Sequence, residues 1–286
     1  MFDQLLQWSV LFVMGTNFVV SHEGTELVGE TWMEDGPTVI LLHAGVADRR
    51  SWASMVPEIA GFASVLTYDR RGFGASQGGI ETFTHLDDLV AVMDSFEIET
   101  AWFVGSSAGG KLALEVAFAA PGRTSGLVLI APAVGGAPSP LDEDVDPETE
   151  RIDELITRAE EVGDIDEVNR LEVRLWLDGP REPEGRVSDS VRDLVLDMNA
   201  TALTNYVPEN SDHAIDAWSH LGEISVPAIV ACGTLDAMHV IRRSEVVGGL
   251  ICGATFVYLE GVAHLPYLEN PSEVGALVRD FIARSS

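Results

Sequence analysis

"VGSSAGGKLAL", residues 104–114, sits where an apolar run ends and a helical pattern begins. Ser106 and Ser107 lie there among glycines and an alanine. Residues this small permit a sharp turn from strand to helix. Gly105-x-Ser107-x-Gly109 has the form of a nucleophile elbow, a strained turn that exposes a serine. Gly105-x-x-x-x-Gly110-Lys111 has most of a phosphate loop. A plain tight turn in an α/β sheet is the third reading. The phosphate reading fails at position 112, where Leu112 replaces the Ser or Thr that holds Mg²⁺. A dinucleotide fingerprint fails too, because no Gly-x-Gly-x-x-Gly opens the first βαβ unit.

The flanking chain alternates short apolar runs with helical patterns. Residues 18–32 read as a hairpin around Glu23-Gly24. Residues 38–43, 63–69, 101–105, 126–132, 226–233 and 254–261 read as strands. Residues 51–62, 84–96, the stretch after Ser107 and 271–285 read as helices, with Thr84 as an N-cap and Pro271 in a first turn. This βαβ order predicts a mostly parallel sheet flanked by helices. Between about 135 and 222 the strand signal stops. Ile152, Leu155, Ile156, Ala159 and Val162 keep helical spacing, as do Val191, Leu194, Val195 and Met198. We therefore expect a core of residues 1–134 and 223–286, with a helical cap of residues 135–222 inserted after strand six.

In a parallel α/β sheet, ligands sit at the carboxyl ends of the strands. The segments after the strands supply Ser107, Asp236 and His264 in chain order. A serine hydroxyl is a poor nucleophile until a base takes its proton. His264 suits that task near neutral pH, and Asp236 suits the holding of its imidazole. The backbone N–H groups of Ala108 and Gly45 are the expected donors to an oxyanion. Ser106 is the rival nucleophile, one residue off the elbow frame. His43 is expected to support the oxyanion loop, and Asp69 and Arg71 to shape theirs. His22, His85, His213 and His220 read as structural or solvated, and His239 as a rim candidate. Val134, Trp176, Met238, Leu265 and Tyr267 are the candidate pocket residues. Trp176 is expected either to wall the pocket or to pack inside the cap.

The motifs "HAG", "DRRGFGAS", "GSSAGG", "GTLD" and "GVAHLPYLENP" follow one another in this order. With them the chain resembles the α/β-hydrolase superfamily, in the branch with a helical cap, over about residues 18–285. The resemblance implies an eight-stranded α/β-hydrolase fold and a Ser-His-Asp triad. It implies a serine hydrolase that cleaves a small or medium carboxylic ester or lactone through an acyl-enzyme, with no cofactor and no metal. A C–C bond hydrolase or a cofactor-free perhydrolase shares this triad, and a non-catalytic binder shares the fold. A small molecule is the expected partner, with the chain a monomer or a homodimer.

Composition limits the partners further. The formal net charge is −29, with 46 acids against 16 arginines and one lysine, Lys111. Such a surface repels nucleic acid and anionic membranes. Residues 142–172 alone hold 14 acids and 3 arginines. Adaptation to a salt-rich cytoplasm and the arginine bias of a GC-rich genome both account for this. Cys232 and Cys252 form no disulfide framework or zinc site and read as two buried thiols, in keeping with a reducing, cytoplasmic setting. The apolar start lacks a basic n-region and is too interrupted for a membrane helix. It reads as a short amphipathic extension, or as a start better placed at Met14.

Overall fold

The computed structural model describes residues 15–78, 82–141, 144–205 and 215–285. The expectations for the first 13 residues, Met14 and His213 lie outside them. Eight strands form one sheet: β1 (Thr16–His22), β2 (Thr25–Trp32), β3 (Thr38–Leu42), β4 (Ser64–Tyr68), β5 (Ala101–Ser106), β6 (Thr124–Ile130), β7 (Ala228–Gly233) and β8 (Thr255–Leu259). Their spatial order is β1-β2-β4-β3-β5-β6-β7-β8. β1 and β2 pair antiparallel, as do β2 and β4, and every other pairing is parallel. This is the mostly parallel sheet that the strand runs predict, with the eight strands that the resemblance to α/β-hydrolases implies. Glu23 (φ 43°) and Gly24 (φ 73°) both take positive φ, as the two-residue loop of the β1–β2 hairpin requires.

The central strands are buried on both faces, which explains their continuous apolar runs. One face packs Trp52, Met55, Ile59 and Val278 against Val39, Leu41 and Val104. The other packs Leu89, Val92, Leu112 and Val116 against Ile40, Leu42 and Phe103. The helices concerned include α1 (Val56–Ile59), α2 (His85–Ser95), α3 (Ala108–Ala119) and, near the end of the chain, α9 (Pro271–Ser285). The helix expected over 51–62 is broken. A 3₁₀ turn at Arg49–Trp52, capped by the Asp48 side chain, precedes the single turn of α1. Isolated turns this short form only because burial holds them.

Between β6 and β7 run α4 (Pro147–Val162), α5 (Ile165–Val173), a π-helical turn (Arg174–Asp178) and α6 (Asp189–Asn205). No described residue of that span is in a strand. Asp146 caps α4 through the Thr149 N–H, and Gly163 ends it in the left-handed conformation. α7 (Met238–Leu250) follows β7, and α8 (Pro266–Glu269) precedes α9. Among the described residues no helix is long and apolar enough to cross a membrane. Cys232 is buried, but Cys252 is exposed, contrary to expectation. It sits in the turn between α7 and β8, outside the sheet core.

Candidate active site

Ser107 stands between β5 and α3 with φ 51° and ψ −115°, a conformation that costs energy for any residue with a side chain. The Ser107 N–H donates to the Ile130 carbonyl (2.9 Å), and its own carbonyl accepts from Gly110, Lys111 and Ala133. Glycine neighbours make the turn possible. A Cβ on Gly105 would lie 2.3 Å from the Gly109 oxygen, and one on Gly110 2.8 Å from Pro132 Cβ. β3 runs beside β5, with Leu42 paired to Gly105, so the loop after β3 meets the start of α3. A Cβ on Gly45 would lie 3.9 Å from that of Ala108. Gly45 and Ala108 therefore face one another, and the Ala108 N–H is among those that a helix start leaves without an intrahelical acceptor.

His43 braces this loop. Its Nδ1–H donates to the Ala44 carbonyl (2.8 Å), and its Nε2 accepts the Arg70 N–H (3.0 Å). Burial first, and then the Arg70 charge, hold its pKa well below the ordinary histidine value. Arg70 Nη2 donates to the His43 and Ala44 carbonyls, both at 3.2 Å. Asp69 accepts from the Arg49 and Ala75 N–H groups and pairs with the Arg49 side chain. Arg71 and Asp88 form a fully buried ion pair at 2.8 Å. Asp69 and Arg71 thus shape loops, as the sequence leads one to expect.

Asp236 follows β7 and His264 follows β8. His264 Nδ1 lies 2.7 Å from Asp236 Oδ2, and Asp236 is completely buried. Asp236 Oδ1 accepts the Ala237 N–H (2.7 Å), which fixes the carboxylate plane. The Cys232 thiol donates to Oδ2 at 3.6 Å, and burial raises the thiol's pKa well above its ordinary value. Both loops are tied to the helical insertion. Arg181 donates to the Asp236 carbonyl (2.8 Å) and pairs with Asp146 (3.2 Å). Glu269 accepts the Ala263 N–H (2.7 Å) and pairs with Arg186 (2.6 Å).

A cavity of about 550 Å³ opens between the strand ends and the inserted helices. Ser107, Ala108, Gly45, His264 and Trp176 all line it. Trp176 lies in the π-helical turn, its ring 4.6 Å from that of His264, and it packs against both the cluster of Ala131, Cys232, Ala237, Val240 and Ile241 and that of Ile152, Leu171 and Leu175. It is a cavity wall and a packing residue at once. The other four pocket candidates are not among the lining residues. Val134 packs into the core on the α3 side of the sheet. Leu265 and Tyr267 are fully buried on the opposite side, where Tyr267 stacks on Trp52 at 3.8 Å. Burial pushes the Tyr267 phenol up to about 12. Met238 opens α7 with more than a third of its surface exposed. Nearness to the loops in sequence did not turn these side chains toward the cavity.

The polar walls that sequence reasoning missed are Arg70, His85, Lys111, Glu115, Glu172 and Asn199. They come from the loop after β4 and from α2, α3, α5 and α6, and only the fold brings them together. His85 is buried, as the structural reading of it expects, and it also lines the cavity. Burial first, and then Arg70, hold its pKa well below the ordinary value. Glu172 accepts the Asn199 amide N–H (2.7 Å), and burial raises the pKa of its carboxyl. Ser106 is fully buried in β5 and does not line the cavity. His239 is not on its rim, His22 pairs with Asp88, and His220 pairs with Glu223. Among the described residues no three His, Cys, Asp or Glu side chains gather as metal ligands would.

Residues 39–277 match the family model described as the alpha/beta hydrolase family. A proline iminopeptidase of Heyndrickxia coagulans is 23% identical over 269 residues, covering 86% of this chain and 91% of that protein. A 2-hydroxymuconate semialdehyde hydrolase of Pseudomonas sp. (strain CF600) is 34% identical over 118 residues, 39% of this chain and 41% of that one. The enol-lactonase from Burkholderia xenovorans LB400 superposes with a TM-score of 0.73 at 23% identity, covering 93% of this chain and 99% of that chain.

Proposed function

The chain belongs to the alpha/beta hydrolase family, and from that premise we propose that it is a serine hydrolase acting on a carboxylic ester or lactone of small or medium size. Ser107 is the nucleophile, His264 the general base and Asp236 the residue that orients it. The observation that carries this reading is one shared cavity: the strained serine and the Asp236-paired histidine both line it.

The chemistry follows from those positions. Ser107 Oγ forms a bond to the substrate carbonyl carbon as its proton passes to His264 Nε2. The carbonyl oxygen becomes an oxyanion, which the Gly45 and Ala108 N–H groups stabilise. The bond to the alkoxy group then breaks, and His264 returns the proton to the departing alcohol. Water repeats the sequence on the acyl-enzyme and frees the acid. Residues 135–222 act as the cap that chooses the substrate, with Trp176 against the reacting group.

The test is turnover of p-nitrophenyl esters of graded chain length and of a lactone panel, beside labelling by a fluorophosphonate. Turnover that disappears with labelling, and labelling that disappears in Ser107→Ala, support the reading. Labelling that persists in Ser107→Ala, or a labelled protein that turns over no ester or lactone, overturns it.

A further inference from the structure

Two side chains of the helical insertion, Glu172 on α5 and Asn199 on α6, line this cavity. A chain of hydrogen bonds decides which of their atoms are engaged. Asn169 Nδ2 donates to the Leu196 carbonyl (2.9 Å), a group that can only accept. Asn169 Oδ1 is thereby left to accept, and it takes one N–H of Asn199 Nδ2 (3.0 Å). The other N–H of that amide goes to Glu172 Oε2 (2.7 Å). One backbone carbonyl thus orients both amides in turn, and both side-chain donors of Asn199 are engaged. What remains is acceptor: among the described residues, nothing donates to the Asn199 amide oxygen or to Glu172 Oε1. Asn199 is 1% exposed and Glu172 half-buried, so water reaches them chiefly through the cavity they line. Burial raises the pKa of the Glu172 carboxyl, the Asn199 N–H opposes the rise, and the like charge of Glu160 adds to it. The arginines beside Glu172 in the chain are engaged elsewhere, Arg170 with Glu167 and Glu184, and Arg174 with Glu148. A carboxylate oxygen removed from water costs stability until something donates to it.

Resting on the hydrolase reading above, we propose that this cavity takes esters bearing a neutral hydroxyl group remote from the scissile bond, its O–H donated to Glu172 with the Asn199 amide oxygen beside it. Trp176, whose ring lies 4.6 Å from that of His264, follows Glu172 by four residues. Glu172 thus stands roughly one helical turn, about 5 Å, from the side chain that touches the base. The hydroxyl it receives is several bonds from the reacting carbonyl. Charge favours a neutral donor. Arg70 and Lys111 line the same cavity as Glu115 and Glu172, so a ligand of either sign meets like charge there. A hydroxyl meets none, and its hydrogen bond to a carboxylate belongs to the stronger, charge-assisted kind.

Three methyl esters of similar length test this: methyl 6-hydroxyhexanoate, methyl 6-methoxyhexanoate and methyl 6-aminohexanoate. Each is titrated calorimetrically into Ser107→Ala protein, so that binding is read apart from turnover. The methoxy ester keeps the acceptor oxygen but has no O–H to give. We expect the hydroxy ester to bind at least about tenfold tighter than the methoxy ester. Adding Glu172→Gln should bring that ratio close to one. The Asn199 N–H then takes the new amide oxygen, the amide N–H groups turn to the cavity, and either ligand oxygen can accept from them. A melting curve shows that this variant is folded, and the comparison made with Glu172 in place stands without it. Equal binding of the hydroxy and methoxy esters, a ratio that folded Glu172→Gln leaves unmoved, or a preference for the amine each overturns the inference. Wild-type protein that binds the hydroxy ester preferentially yet hydrolyses no ester overturns the hydrolase reading alone. Hydrolysis without preference overturns only the subsite.

Discussion

Gly109 lies so close to Leu42 that a Cβ on it would stand 2.0 Å from the Leu42 carbonyl oxygen. That contact presses the start of α3 against the end of β3. Backbone on both sides leaves nothing to yield, so Gly109→Ala is expected to cost about 3 kcal/mol and to lower the melting temperature by roughly 6–12 °C. Gly45→Ala, with only Ala108 Cβ at 3.9 Å, is expected to melt within about a degree of wild type. Thermal melts of the two variants check the contrast.

Ser107→Ala is expected to lower kcat by about 10⁴-fold or more on a p-nitrophenyl ester, with the fold intact by circular dichroism. Ser106→Ala, in a strand position away from the cavity, is expected to cost less than about tenfold. An inactive Ser106 variant beside an active Ser107 variant would reverse the assignment of the nucleophile.

Asp236→Asn keeps the shape of the side chain but no longer holds the Nδ1–H tautomer of His264. A fall in kcat of about 10³–10⁴-fold is expected, with KM changed little. Steady-state kinetics on a p-nitrophenyl ester check this, and a fully active Asp236→Asn would assign the orienting role to another acid.

His43 and His85 are buried with depressed proton affinity, so the unfolded chain binds protons that the folded one refuses. Stability is therefore lost as pH falls below about 6.5, with a slope that approaches about 2.7 kcal/mol per pH unit for the two groups. Asp69 and Glu172 have raised affinities and act in the opposite sense, but in the carboxylate range at lower pH. Guanidinium denaturation at pH 7.5 and 5.5 measures the loss, and an unchanged midpoint would contradict it.

Charge repulsion predicts a salt effect. α4 and α5 carry local pairs such as Arg151–Glu148 and Arg170–Glu167, but acids outnumber arginines throughout. The Debye length shrinks from about 30 Å at 0.01 M to about 3 Å at 1 M salt. The melting temperature is expected to rise by several degrees between about 0.05 and 3 M KCl. A flat profile would limit the acidity to a role in solubility.

The sheet was legible because buried strands leave a signature in consecutive residues: "TVILL", "SVLTY" and "AIVACG" are apolar on both faces. The turn at Ser107 was legible for the same local reason, since glycines at 105, 109 and 110 mark close backbone approach. The cavity was not. Arg70, Lys111, Glu172 and Asn199 are separated by tens of residues, and no periodicity relates them. Leu265 and Tyr267 show the converse error, because residues one and three places after His264 face the core instead. The break at residues 53–55 escaped notice because Trp52, Met55, Val56 and Ile59 keep apolar spacing across it.

The φ of 51° at Ser107 is imposed by its neighbours, not chosen by the hydroxyl. Gly105, Gly109 and Gly110 set the path, and the Ile130 carbonyl holds the amide. The turn is in that sense a socket, indifferent to the atom it presents. A thiol or a carboxylate at position 107 would be displayed in the same place without rebuilding the backbone. The path of the backbone and the side chain it presents are thereby separable.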